Sequence, residues 1–183
     1  MLVQTYRDYD LTKEQCVKIA RLEHATWPID GTPEDTAAGL LTRAKNGGLM
    51  DARVQVIWGD NGEAIAHAQC WARPIRMPVG MVTVMALGGV CVAKDHRQHG
   101  LGAAVVRTCF ARVDAGEFPV ALFQTGVPRF YENLGARQVS NPFVNSLNTE
   151  APGTIPWWDP YIMIYPVTAC WPDGVIDLVG PAF

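Results

Sequence analysis

Arg97-Gln98-His99-Gly100-Leu101-Gly102-Ala103 is the stretch on which the reading of this chain turns. A strand-like run precedes it, Leu87-Gly88-Gly89-Val90-Cys91-Val92. After it, Val105, Val106, Cys109, Phe110 and Val113 recur at a spacing that gives a helix one apolar face, with Gly116 as its stop. A strand, a glycine-bearing turn and a helix N-terminus together make a cradle for a phosphate. The first helical turn carries N–H groups without intrahelical partners, and the helix dipole favours negative charge there. A side chain at Gly100 or Gly102 would hold the phosphate off the backbone.

The commonest phosphate loops do not fit. This one lacks the Gly-Lys-Ser/Thr ending of a triphosphate loop and the GxGxxG order of a dinucleotide fold. No acidic residue closes the next strand-like run, Val120 to Gln124, where it would take a ribose hydroxyl. A nucleotide-binding protein that uses the loop differently stays open as a reading.

Working outward, Met1 to Tyr6 alternates as an edge strand does. Thr12-Lys13-Glu14-Gln15 is a capping box opening a helix that ends before Pro28. Thr32-Pro33-Glu34-Asp35 opens a second helix with proline at its first position, and Asn46-Gly47-Gly48 ends it. Arg53 to Trp58 and Glu63 to Arg73 flank Gly59-Asp60-Asn61-Gly62, a hairpin turn. Val79 to Val92 reads as a long strand in which Gly88-Gly89 marks a bulge or a close backbone approach. Downstream lie a short strand (Val120 to Gln124), a short helix (Pro128 to Leu134) and two more strands (Arg137 to Ser140, Tyr161 to Val167). Residues 141–160 and 170–183 read as ordered surface loops, being too rich in Trp, Ile and Val for disorder. Hairpins followed by strand–helix–strand predict an α+β fold with a mixed sheet. No linker interrupts the chain, so residues 1–183 are expected to be one domain.

Four parts follow in order: Val90-Cys91-Val92, the glycine loop, the strand Val120 to Gln124, and Arg129-Phe130-Tyr131-Glu132-Asn133-Leu134-Gly135-Ala136. This order resembles the GNAT superfamily of acyl-CoA-dependent N-acyltransferases. The loop matches that family's Arg/Gln-x-x-Gly-x-Gly/Ala signature at every fixed position. The Phe-Tyr-x-x-x-Gly-Ala stretch is similar to its short helix after the fifth strand. The resemblance covers residues 87 to 140. It implies a mixed, mostly antiparallel sheet flanked by helices with a splayed central strand pair, acetyl-CoA as cosubstrate, and acetyl transfer to a primary amine of a small acceptor.

The resemblance also implies roles. Arg97, Gln98, His99, Gly100, Leu101, Gly102 and Ala103 would hold the CoA pyrophosphate, largely through backbone N–H groups. Val90, Cys91 and Val92 would pair their backbone with the pantetheine arm. A backbone N–H near Val90 would steady the thioester oxygen as it gains charge. Tyr131 would protonate the leaving thiolate; the plainer reading is a core tyrosine. The Cys91 thiol itself, in an apolar strand, is expected to be inert.

The chain departs from the family at one point. No Asp or Glu stands between Val79 and Val92, so the usual strand carboxylate is missing. An amine must be uncharged to attack, yet an alkylammonium has a pKa near ~10. The base is therefore sought elsewhere: at His67, or at Glu23 and His24 near the end of the first helix. The missing carboxylate also leaves room for a non-catalytic module that binds or senses acyl-CoA.

Trp157-Trp158-Asp159 and Trp171-Pro172-Asp173 put indole faces beside carboxylates, a combination suited to an organic cation. Core-filling tryptophans are the competing reading. Cys170-Trp171-Pro172-Asp173-Gly174 is distantly similar to the tail of aminoglycoside N-acetyltransferases.

Bulk properties narrow the partners. Apolar residues make up 49% of the chain and charged residues 18%, with a formal net charge of -3. That argues against nucleic acid and favours a neutral or cationic small molecule. No run approaches the ~20 apolar residues of a membrane span, and the charged N-terminus does not read as a signal peptide. Five cysteines without a CxxC pair suit a reducing cytoplasm, and the four histidines lack metal-ligand spacing, so no metal is expected. The apolar stretch Val175 to Phe183 is a candidate homodimer surface.

Overall fold

A computed structural model describes residues 2–151, 153 and 157–183. Met1 of the expected first strand, and positions 152 and 154–156 of the expected loop 141–160, lie outside the described residues. The elements in order are β1 (Gln4–Arg7), α1 (Lys13–His24), α2 (Pro33–Lys45), β2 (Arg53–Trp58), β3 (Ala64–Met77), β4 (Gly80–Val92), α3 (Leu101–Asp114), β5 (Ala121–Thr125), α4 (Pro128–Glu132), β6 (Arg137–Val139), β7 (Phe143–Val144), β8 (Tyr161–Tyr165) and β9 (Ile176–Asp177). Sheet order is β1-β2-β3-β4-β5-β8-β6, with β9 pairing β3 and β7. The pairs β1–β2, β2–β3, β3–β9, β5–β8 and β6–β8 are antiparallel, whereas β4–β5 and β7–β9 are parallel. This is the mixed, mostly antiparallel sheet that the sequence predicts.

Contacts group the chain into two compact units: residues 1–71 with 89–111, and residues 72–88 with 112–183. In the first, both helix starts form as the capping boxes require. The Thr12 hydroxyl accepts from the Gln15 N–H at 3.2 Å, while the Gln15 side chain accepts from the Thr12 N–H at 2.9 Å. Thr32 and Asp35 exchange the same bonds at α2, behind Pro33 at the first turn. The helices bury Cys16, Ile19, Ala20, Leu22 and Ala37 against Val54, Val56 and Cys91. Arg21 to Glu34 at 3.4 Å and His24 Nε2 to the Thr36 hydroxyl at 2.8 Å tie α1 to α2.

The second unit packs Ile75, Val84, Leu122, Ile164, Ile176 and Leu178 into one core. Two sequence expectations change here. β3 continues past Arg73 to Met77, because Pro74 falls at an exposed position and Ile75 and Met77 resume the inward alternation. The tail 170–183 is not wholly a surface loop: Ile176 and Leu178 are fully buried and β9 joins the sheet. Within the candidate dimer stretch, therefore, those two side chains face the chain's own core while Val175 is exposed.

Asp177 fastens this tail. Its carboxylate accepts from the N–H groups of Ser146 at 3.0 Å and Val179 at 2.9 Å, with Arg76 at 3.8 Å. Asp177→Ala removes two charge-assisted bonds and leaves two part-buried tail and loop donors without their acceptor. The expected loss is about 3 kcal/mol, read as a lower urea midpoint.

Candidate active site

The glycine loop forms between β4 and α3. Lys94–His96 make a short 3-10 turn, and the chain then reverses through two left-handed residues, Gln98 at φ 65° and Gly100 at φ 77°. The first closed helical bond is Ala104 N–H to the Gly100 carbonyl, at 3.0 Å. Among the described residues no hydrogen bond engages the N–H groups of Gln98, His99, Gly100, Leu101, Gly102 or Ala103. Six successive free donors at a helix start are what a diphosphate accepts. The exposed Arg97 bonds through Nε to the Val92 carbonyl at 3.1 Å, which anchors the guanidinium beside the loop. These residues fit the CoA diphosphate. A bulky side chain at Gly102, as in Gly102→Trp, should weaken CoA binding at least tenfold by calorimetry, since the phosphates must meet the backbone.

In the second unit the parallel β4–β5 ladder covers only Met85–Ala121 and Ala86–Leu122. Phe123 to Thr125 still pair with β8, but no pair joins them to Leu87 or Gly88. The central pair thus parts beyond Ala86 and Leu122, in keeping with the splayed pair that the resemblance implies.

Gly89 follows at φ 62°, a conformation L side chains rarely hold. Its carbonyl accepts from His67 Nδ1 at 2.8 Å, and Glu23 Oε1 lies 3.6 Å from the same nitrogen. A methyl group at Gly89 would stand 2.9 Å from His67 Cε1 and 3.3 Å from Glu23 Oε1. Glycine is needed both for the backbone angle and to let a histidine and a carboxylate close in. Burial drives the two groups apart electrically. The His67 pKa falls to about 4, so the ring is neutral at pH 7. Because a carbonyl can only accept, Nδ1 carries the proton and Nε2 keeps a lone pair. Burial raises the Glu23 carboxyl to about 7, against a smaller opposing pull from Arg43. Two of the three candidate bases therefore meet at Gly89. The third, His24, is spent on Thr36.

A pocket adjoins them, lined by Glu23 and His67 together with Asp8, Leu40, Arg43 and Gln69. Sequence reading missed Asp8, Arg43 and Gln69. Arg43 looked like the ordinary cation of a helix C-terminus, and nothing in its spacing signals a pocket.

Cys91 is buried, and its thiol is pushed well above the ordinary range by burial and the Glu23 charge, which keeps it protonated. Val90 and Val92 are half-buried. In the second unit, Tyr131 is buried, its ring 4.7 Å from Phe123 and 4.8 Å from Phe130. Trp157 stacks edge-on against Phe143 and Phe183, and Trp171 donates to Asn141 at 2.7 Å; both pack on the second core. Trp158 is exposed, as is Asp173, and burial raises the Asp159 carboxyl.

The family model described as an acetyltransferase (GNAT) domain matches residues 10–139. No curated protein matches the chain. Among solved structures, the Escherichia coli GNAT family N-acetyltransferase YhbS, in complex with CoA, superposes with a TM-score of 0.65 at 12% identity, covering 99% of this chain and 94% of that one. Glucosamine-6-phosphate N-acetyltransferase from Arabidopsis thaliana gives 0.62 at 14% identity, covering 76% of this chain and 95% of that one. An acetyltransferase from Trypanosoma brucei gives 0.60 at 15%, with the same coverage of both chains. Matched by the family model over most of its length, and carrying the loop and the parted strands, the chain belongs to the GNAT acetyltransferase family and takes acetyl-CoA as cosubstrate.

Proposed function

We propose that the protein transfers acetyl from acetyl-CoA directly to a primary amine of a small molecule, with Glu23 as general base. The observation that carries this reading is the Glu23–His67 pair at Gly89, in a pocket, on a strand that lacks a carboxylate of its own. A base whose pKa lies near the working pH is the effective one, which selects Glu23 over His67.

The loop from Arg97 to Ala103 holds the diphosphate, and the backbone of Val90 to Val92 aligns the thioester arm. Glu23 takes the proton of the bound ammonium, directly or through water. The freed nitrogen attacks the thioester carbon, and a backbone N–H near Val90 donates to the oxygen as its charge grows. Tyr131 gives its phenolic proton to sulfur as the carbon–sulfur bond breaks. Holding two substrates in register supplies much of the acceleration.

Thioester consumption measured over a panel of amines tests the reading; binding of acetyl-CoA with no turnover on any amine would leave only an acyl-CoA-binding module. Tyr131→Phe is expected to cut turnover ten- to a hundredfold while acetyl-CoA affinity holds. Unchanged turnover would remove Tyr131 from the mechanism. The indole and carboxylate groups of Trp157, Trp158, Asp159, Trp171 and Asp173 are a second proposed contact region for a cationic acceptor, and Trp158→Ala, at an exposed position, tests it through acceptor KM.

A further inference from the structure

The pocket beside Glu23 holds charges that the acetyl-transfer reading does not use. Asp8 sits half-buried beside α2, and its Oδ2 is buried without a hydrogen-bond partner. That oxygen lies where a side chain on Gly48 would be, 2.6 Å from the built Cβ position, and the Gly48 N–H donates to the Arg43 carbonyl. Asp8 and the end of α2 that bears Arg43 are thus neighbours. The Arg43 guanidinium lines the same pocket, yet no ion pair or hydrogen bond engages it among the described residues. Opposite charges share one pocket without pairing to each other. A buried carboxylate oxygen with no donor is costly, and a bound ammonium would relieve the cost.

We propose that the acceptor is a free diamino acid, whose carboxylate pairs with Arg43, whose second ammonium pairs with Asp8, and whose reacting amine meets Glu23 and His67. This rests on the acetyl-transfer reading above. Simpler amines match the pocket less well. A plain diamine satisfies Asp8 and Glu23 but presents no anion to Arg43. A monoamino acid with its amine at Glu23 leaves the buried Asp8 oxygen unmet. A diamino acid answers all three groups that line the pocket.

Dissection of the substrate alongside the protein tests this. Acetyl-CoA consumption is followed with lysine and ornithine, with cadaverine and putrescine (which lack the carboxylate), and with 6-aminohexanoate and 5-aminopentanoate (which lack the second ammonium). Lysine or ornithine is expected to exceed both of its matched analogues in kcat/KM by at least tenfold. Each lost contact is a charge-assisted bond, equivalent to a ten- to hundredfold change. Arg43 also lowers the Glu23 pKa, so the comparison is made near pH 9, where that carboxyl is ionised with or without the neighbouring charge; there Arg43→Ala should raise KM for the diamino acid about tenfold or more and change KM for the diamine less than threefold. Asp8→Asn should do the same to the diamino acid and spare the analogue without the second ammonium. Equal kcat/KM for diamino acid and diamine would overturn the inference, as would an Arg43→Ala increase in KM shared by both near pH 9; acetyl transfer itself would then still stand. Turnover with no amine in the panel would overturn the inference, and if acetyl-CoA is consumed with no amine of any class the acetyl-transfer reading falls with it.

Discussion

Glu23→Gln lowers kcat by a hundred- to a thousandfold while acetyl-CoA affinity stays within about twofold. General-base catalysis contributes on that order, and the residue lies apart in sequence from the loop proposed to hold the diphosphate. In the wild type, kcat/KM rises with pH through an apparent pKa of about 7, the value to which burial lifts the Glu23 carboxyl. The groups facing it are the neutral His67 from β3, Arg43 from α2 and the protonated Cys91 from β4. Neither His67 nor Cys91 supplies a second titration near pH 7, because His67 has fallen to about 4 and the Cys91 thiol lies far above. In Glu23→Gln this limb disappears. Stability moves the opposite way. A carboxyl with its folded pKa raised from 4.5 to about 7 favours the folded state fully below pH 4.5 and loses that contribution as pH climbs through 7. At pH 8 the wild type therefore carries a buried charge at a cost of roughly 2–3 kcal/mol. The glutamine variant is expected to melt several degrees higher at pH 8 and nearly unchanged at pH 4.5. A variant that is more stable and far less active separates a catalytic carboxylate from a structural one. Retention of the pH limb in the variant would assign the titration to another group.

Gly89→Ala is expected to cost about 2–4 kcal/mol and most of the activity. Placing an L residue in the left-handed region costs roughly 1–2 kcal/mol, and the added methyl presses within 2.9 Å of a buried imidazole carbon. His67 is held against the Gly89 carbonyl at 2.8 Å and has no exposed side to turn toward. The strain falls on the left-handed residue beside which His67 and Glu23 meet, so both stability and turnover suffer. A double-mutant cycle isolates the steric part. In a His67→Ala background the same substitution should cost at least 1 kcal/mol less, because the clash is gone while the backbone penalty remains. Additive costs would show that the backbone angle alone decides.

The legible part of this protein was local. Thr12 with Gln15, Thr32 with Asp35, and the turn Gly59 to Gly62 each carry their geometry within four residues, so the elements they bound are readable from the chain. The same holds for Arg97 to Ala103, where the order of side chains fixes a turn and a run of free N–H groups without help from distant residues. The extension of β3 past Pro74 and the burial of Ile176 and Leu178 were not legible, because each depends on a partner about a hundred residues away.

The sequence by itself determined the α+β elements, the glycine turn with its free N–H groups and the close backbone approach at Gly89, since hydrogen bonds and backbone angles within a short stretch dictate them. Tertiary structure alone brought the proposed base to its partner. Glu23, His67 and Gly89 come from α1, β3 and β4, and only their burial together lifts one carboxyl to about 7 and holds one imidazole neutral. A pKa depends on the medium and the charges around a group, and those are set by packing between elements distant in the chain.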